Sequence, residues 1–324
     1  MQNNHGKTMY IIVSVNSKYR GKLIGKDALI RSNTIGHEIH ITRPLLYFLL
    51  SKRKISENDV IVTRSKERFF FYSNIFRNII EYDELPENIP GKFILDLTHA
   101  NTLIENYKNH DFLLDMEIKM HILHELRNQN ILVQTDLFKF YMSSFDYLEM
   151  DYDFLSTQFV IIHNRQVPYS NVSLNINITR ILIEIILALH PELTIVVFSS
   201  THIDYVHEKV KYVSKLPTYA SLMNHPNCQA VISEFSGAGQ LAHYCHHKNI
   251  IYYFGEYFFE HNNNLEELIK KANDTHNMYL HFDLKKTTNS NMFIYKKHSD
   301  MFFGLINDNI VYRENAHLPF YKIM

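Results

Sequence analysis

Short runs of β-branched and aromatic residues alternate along this chain with longer stretches of helical periodicity, and that alternation leaves few folds open. Strand–helix–strand units bury both faces of a parallel sheet, so the expected class is α/β. In the first half, strands are expected near Tyr10–Val15, Val60–Thr63, Phe93–Leu97 and Ile131–Gln134, with helices near Ile39–Lys52 and Phe112–Asn128. A short strand is expected within Asn78–Leu85, while Arg64–Arg68 carries no clear period. A more regular series follows. It runs strand Phe159–Ile162, helix Leu174–Leu189, strand Thr194–Phe198, helix Ile203–Lys211, short helix Thr218–Asn224, strand Ala230–Ser233, helix Gly237–His246 and strand Ile250–Phe254.

The segment Tyr147–Thr157 (YLEMDYDFLST) is acidic and aromatic without a period, and it marks the expected joint. Two α/β domains follow, residues 1–157 and 158–324, each near the usual domain size. The tail from Asn262 shows one clear helix, Leu265–Ala272, and is a candidate to cross back onto the first domain.

Composition removes several function classes. With 46% hydrophobic and 21% charged residues the chain can build a core, so global disorder is excluded. Lys plus Arg (33) balances Asp plus Glu (34), and a net charge of -1 gives no field for wrapping a nucleic acid. Two cysteines, Cys228 and Cys245, are too few for a disulfide framework and suit a reducing compartment. The most apolar stretch, Ile181–Leu189, contains Glu184 and falls well short of the roughly 18 residues that span a bilayer. Met1–Lys7 is polar, and Met9–Val15 reads as a strand rather than a signal peptide. The expectation is a soluble, cytoplasmic protein with no membrane span, peripheral association aside. The sequons at Asn171, Asn177 and Asn273 are then expected to be unused.

Ligands of open parallel sheets bind outside the carboxyl ends of the strands. Residues at those ends are Asp96 and His99, then Thr135 and Asp136, in the first half. In the second they are His163, Asn164 and Arg165, then Ser199, Ser200 and Thr201, then Glu234 and Ser236. Exposed loops are polar in any protein, so each residue alone also fits a plain surface. Together they would line a wet cleft. The sharpest local feature is the turn Ser236-Gly237-Ala238-Gly239 after the strand ending at Ser233, because two of only nine glycines sit there. It reads either as an N-cap by Ser236 or as an anion cradle at a helix start. It has neither the GxGxxG nor the GxxxxGK[ST] spacing, so an ordinary dinucleotide site and a P-loop are unsupported.

The stretch from Leu216 to Gly255 (LPTYASLMNHPNCQAVISEFSGAGQLAHYCHHKNIIYYFG) resembles the donor-binding half of GT-B glycosyltransferases, most of all the heptosyltransferase and fucosyltransferase branches. Phe159-Val-Ile-Ile-His-Asn-Arg likewise resembles the strand and His-x-Arg motif that opens the donor domain of several fucosyltransferase families. Where that motif continues with a second basic residue and an acid, this chain has Gln166, Val167 and Pro168. The resemblance covers Phe159 to Gly255. It implies two Rossmann-like domains facing across a cleft, with the donor in the second. It implies transfer of a sugar from a nucleotide-diphosphate donor to a glycan or other hydroxyl acceptor, with no metal and no separate cofactor. Arg165 and the Ser236–Gly239 helix start would hold the diphosphate. The donor-binding set is then His163, Arg165, Ser199, Ser200, Glu234, Ser236, Gly237, Ala238, Gly239 and Gln240.

The acceptor hydroxyl needs a base, expected from the first domain. Glu38 and His37, in Asn33-Thr-Ile-Gly-His-Glu-Ile-His, are the first choices, with Asp96 and Asp136 behind them. Acids near helix starts also serve as dipole partners, and that reading stays open. His243, His246 and His247 beside Cys245 invite a zinc site, but with 20 histidines such clusters arise by chance and no second ligand pair is suitably spaced. His121 with His124-Glu125 is not HExxH, and Ser51-Lys-Arg-Lys-Ile reads as a solvated helix end. Two rivals remain: a nucleotide-sugar epimerase on the same plan, and a catalytically silent binding protein.

Overall fold

Two parallel sheets organise the chain. The computed structural model describes residues 10–14, 23–24, 28–29, 35, 38, 46, 50, 55–73, 75–84, 92–93, 111–113, 153–165, 172–234, 236–239, 241–244, 249–253, 291–295, 297–308, 311 and 321–323. The chain divides into one compact unit of Met1–Tyr141 with Ala272–Phe282, and another of Met142–Lys271 with Asp283–Met324.

In the first unit, β1 (Tyr10–Ile12), β4 (Val60–Thr63), β5 (Asn78–Glu81), β6 (Lys92–Phe93) and β7 (Asp111–Leu113) form a sheet ordered β5-β4-β1-β7-β6, every pairing parallel. A separate antiparallel pair joins β2 (Leu23–Ile24) to β3 (Ala28–Leu29). Val-Ile-Val-Thr in β4 is buried at all four positions, the continuous β-branched run expected of a strand covered on both faces. After β4 comes a 3-10 helix, Lys66–Phe71. This settles the unclear Arg64–Arg68 segment, and the expected short strand in Asn78–Leu85 is β5. The expected helix at Phe112 starts instead in a strand. Its remainder, with Ile131–Gln134, most of Ile39–Lys52 and Leu265–Ala272, lies outside the described residues.

In the second unit, β8 (Phe159–His163), β9 (Thr194–Phe198), β10 (Val210–Val213), β11 (Cys228–Glu234), β12 (Asn249–Tyr253), β13 (Asn291–Tyr295) and β14 (Tyr321–Ile323) form a seven-stranded parallel sheet. Its order is β10-β9-β8-β11-β12-β13-β14. The chain therefore winds outward from β8 in one direction, then restarts beside β8 and winds the other way. That is the doubly wound plan, and its crevice lies where the order reverses, between the carboxyl ends of β8 and β11.

Helix α1 (Val172–Leu189) covers this sheet. Ile178, Leu182, Ile183 and Ile186 form its buried stripe, packed into a core with Val160, Ile162, Ile195, Val197 and Ile232. Ile181 and Glu184 face solvent, so the helix is amphipathic rather than membrane-spanning. No helix among the described residues is long and apolar enough to cross a membrane. Helix α2 (Leu216–Met223) begins two residues before the expected Thr218, because Pro217 fits the first turn, where no amide donor is needed. Helix α3 (Leu241–Tyr244) starts later than the expected Gly237, since residues 236–239 form a turn, and residues 245 and 246 of the expected helix lie outside the described residues. Helix α4 (His298–Asp308) adds Met301 and Leu305 to the core.

One element is corrected outright. Ile203–Lys211 is a loop followed by strand β10, not a helix. Ile203, Val206 and Val210 mimic a helical stripe, yet Val206 is 96% exposed while Ile203 and Val210 are buried, so the three share no face. The Val210 amide donates instead to the His207 carbonyl, closing a turn into the strand.

Strand β11 carries a bulge. Its Cys228 pairs with Phe159 but its Ala230 with Val160, so Gln229 is an extra residue in the ladder.

Candidate functional site

The reversal point of the second sheet gathers most of the expected donor-side residues. Strand β8 is buried along its whole length and delivers His163, Asn164 and Arg165 in succession to the rim. The His163 ring stacks on Phe198, centroids 5.4 Å apart, and Phe198 in turn stacks on Tyr219 at 4.1 Å. Its Nδ1 lies 2.8 Å from Ser233 Oγ, and that hydroxyl donates to the Glu234 carbonyl at 2.6 Å. A serine has one proton to give, so Nδ1–H is the donor toward Ser233. Burial, and then the charge of Arg165, push the His163 pKa down to about 3. The imidazole is therefore neutral and ties the end of β8 to the end of β11.

Arg165 leaves β8 toward β11. Its Nη1 donates to Glu234 Oε1 at 2.6 Å, with 12% of the arginine side chain and 3% of the glutamate side chain exposed. From α1, Asn175 Nδ2 donates to the Arg165 carbonyl at 2.7 Å and lies 3.4 Å from Glu234 Oε2. Burial raises the Glu234 pKa, and the opposing pull of Arg165 does not cancel it. Between β8 and β9, the Asn164 amide donates to the Phe198 carbonyl and its Nδ2 to Ser199 Oγ at 3.3 Å. Asn164 Oδ1 is buried with no hydrogen-bond partner among the described residues. The Ser199 hydroxyl donates to the Thr201 carbonyl at 2.8 Å, and Ser200 is exposed.

The small-residue turn sits against the end of β11. A Cβ placed on Gly239 would collide with Ser233 Oγ and lie 2.9 Å from Ser233 Cβ, so only glycine lets the turn approach this closely. The Gly239 amide donates to Ser236 Oγ at 3.3 Å, and Tyr252 Oη donates to the Gly239 carbonyl at 3.0 Å. Ser236 thus caps the turn, while Gly237 and Ala238 form its half-buried crest. Gln240 lies outside the described residues.

The first sheet has a rim of its own. Glu38 is fully buried there. Its carboxylate pairs with Arg68 Nη1, accepts from Tyr72 Oη at 2.8 Å and lies 3.5 Å from Thr63 Oγ1. Thr63 and Ser14 share a hydroxyl contact at 3.0 Å, and the Arg64 amide donates to Ser14 Oγ at 3.2 Å. His37, Asp96 and Asp136 lie outside the described residues. So does the histidine cluster, apart from the backbone of His243.

Sequence reading missed Arg68, Tyr72 and Asn175. Arg68 lies in the 3-10 helix after β4 and Tyr72 at its C-terminal end, where no clear period gave a signal. Asn175 had none, being one asparagine among many.

No family model matches the chain, and no curated protein resembles it in sequence. Among solved structures it is similar to a protein of Listeria monocytogenes described as a UDP-N-acetylglucosamine 2-epimerase, at 11% identity and TM-score 0.40, over 85% of this chain and 91% of that one. It is also similar to the heptosyltransferase WaaC of E. coli with ADP, at 11% identity and TM-score 0.39, over 77% and 88%. A third similarity is to the iron-containing dodecameric glycosyltransferase TibC of enterotoxigenic E. coli, at 12% identity and TM-score 0.36, over 76% and 58%.

Proposed function

We propose that the chain is a metal-independent glycosyltransferase of GT-B type, whose second unit binds a nucleotide-diphosphate sugar and whose first unit serves the hydroxyl acceptor. Arg165 carries this reading: a largely buried guanidinium stands where the strand order of a doubly wound sheet reverses. A ligand entering that crevice meets a planar fork of donors matched to phosphate oxygens. Negative charge gathers on the departing diphosphate as the sugar–phosphate bond breaks, and a preorganised guanidinium stabilises it. The Ser236–Gly239 crest adds backbone donors at the same edge, and Glu234 offers carboxylate oxygens to ribose or sugar hydroxyls. The acceptor hydroxyl attacks the anomeric carbon and passes its proton to a base, sought among Glu38, His37 and Asp96. Glu38 would first have to give up Arg68 and Tyr72.

Calorimetry and thermal shift against UDP, GDP, ADP and CDP and their sugars, in the presence of EDTA, test the reading. One base's diphosphate is expected to bind, and Arg165→Ala to weaken it by about 10- to 100-fold with the fold intact. Silence across the panel overturns the donor site. A second reading, epimerisation of the nucleotide sugar, is favoured by the raised pKa of the Glu234 carboxyl, a property suited to proton transfer. Deuterium from heavy water appearing on a carbon of the recovered nucleotide sugar would mark epimerisation.

A further inference from the structure

The second rim also bears on how its ligand is held, and this inference rests on the reading that a diphosphate binds at Arg165. The described groups facing the Glu234 carboxylate are Arg165 from the end of β8, Asn175 from α1 and Tyr253 from β12. Asn175 carries no charge. Tyr253 is buried and its pKa is pushed up, chiefly by burial, so it stays a neutral phenol. His163, within the field of Arg165, is neutral as well. Among these groups the guanidinium alone balances a carboxylate that is 3% exposed. A buried carboxylate keeps its charge only while a cation offsets it.

A diphosphate at Arg165 claims that same positive charge and brings further negative charge beside Glu234. Water cannot screen the pair at this depth, so the carboxylate has one low-cost response, which is protonation. We propose that the Arg165–Glu234 ion pair is a proton-linked exchange device, in which the diphosphate takes over the guanidinium and Glu234 accepts one proton from solvent as the complex forms. The only covalent change is one O–H bond made on Glu234, with the proton drawn from bulk water or buffer. Burial already pushes this carboxyl in the required direction. Once protonated, Glu234 can donate to a ligand oxygen as well as accept.

Proton uptake means that affinity tightens as pH falls, by up to about tenfold per pH unit. The test is calorimetry of the full chain with UDP-glucose, GDP-mannose and ADP-glucose, whose diesterified phosphates do not titrate near neutrality. Binding is measured at one pH in PIPES and in Tris, which differ in ionisation enthalpy. The expected heats differ by the uptake of about one proton per ligand, and Glu234→Gln is expected to bind with neither buffer nor pH dependence. Binding without buffer dependence overturns the exchange device and leaves the diphosphate site standing. A slope that persists in Glu234→Gln overturns the assignment to this residue. Absence of binding by every probe overturns the site and the device together. Should Glu234→Gln fail to fold, the heats of the unaltered chain decide the matter.

Discussion

Each sheet keeps an arginine–glutamate pair at its carboxyl rim, and the two pairs are finished differently. Glu38 pairs with Arg68 and also takes hydrogen bonds from Tyr72 and Thr63, so both of its oxygens are engaged in full burial. Glu234 pairs with Arg165 at 2.6 Å, but among the described residues its second oxygen has only Asn175, at 3.4 Å. The first carboxylate has donors on both oxygens. The second is balanced, among the described residues, by the Arg165 guanidinium at the edge of the crevice. Residue identity alone does not separate an anchor from a site, whereas the count of remaining partners does.

Four substitutions would break or sharpen that contrast. The largest effect is expected from Arg68→Met, which takes the paired cation from a fully buried Glu38 and leaves it the weaker field of Arg64, and should cost about 3–5 kcal/mol in urea unfolding. Equal loss from Arg165→Met would abolish the distinction. Arg165→Met should cost less, about 1–3 kcal/mol, because Glu234 can take a proton. Its signature is pH dependence. Burial raises the folded pKa of Glu234 above its unfolded value, so the folded form holds the extra proton between the two. Stability should therefore be highest below the ordinary glutamate range and fall as pH climbs through the raised value, over a window that Arg165→Met extends upward. Stability curves from pH 4 to 9 would read this directly, and a flat profile in the variant would refute it. Next comes Gly239→Ala, whose added methyl meets Ser233 and should lower stability by about 1–3 kcal/mol in thermal melts. Adding Ser233→Ala should recover part of that loss. The smallest effect is expected from Ser236→Ala, about 0.5–1 kcal/mol, since it removes one 3.3 Å cap bond. Diphosphate affinity in this variant shows whether the crest takes part in binding.

Strands that are continuously apolar could be read from the chain directly, because burial on both faces leaves a short β-branched run of strand length. Val60–Thr63 and Thr194–Phe198 have the expected bounds to the residue. Strands with mixed faces could not. Val210–Val213 is buried only at its two ends, a four-residue pattern too short to outweigh the helical spacing of the apolar residues before it. Asn291–Tyr295 and Tyr321–Ile323 were equally illegible, being placed by partners in the sheet rather than by local pattern. At the rim, His163, Arg165, Glu234 and Ser236 were each visible as polar residues after a strand. Their pairing was not, since Arg165 and Glu234 stand 69 residues apart and nothing local joins them. The Glu38 network was hidden for the same reason, its partners lying 25, 30 and 34 residues further along.

Gln229 is a residue that the ladder of its strand does not need. Its neighbours pair with consecutive residues, Cys228 with Phe159 and Ala230 with Val160, so the surplus is absorbed at the bulge and the pairs beyond it run in step to the rim. Removing that single residue should therefore leave Glu234 where it stands, which makes the far end of the strand a place where the chain can gain or lose length without changing what the rim holds.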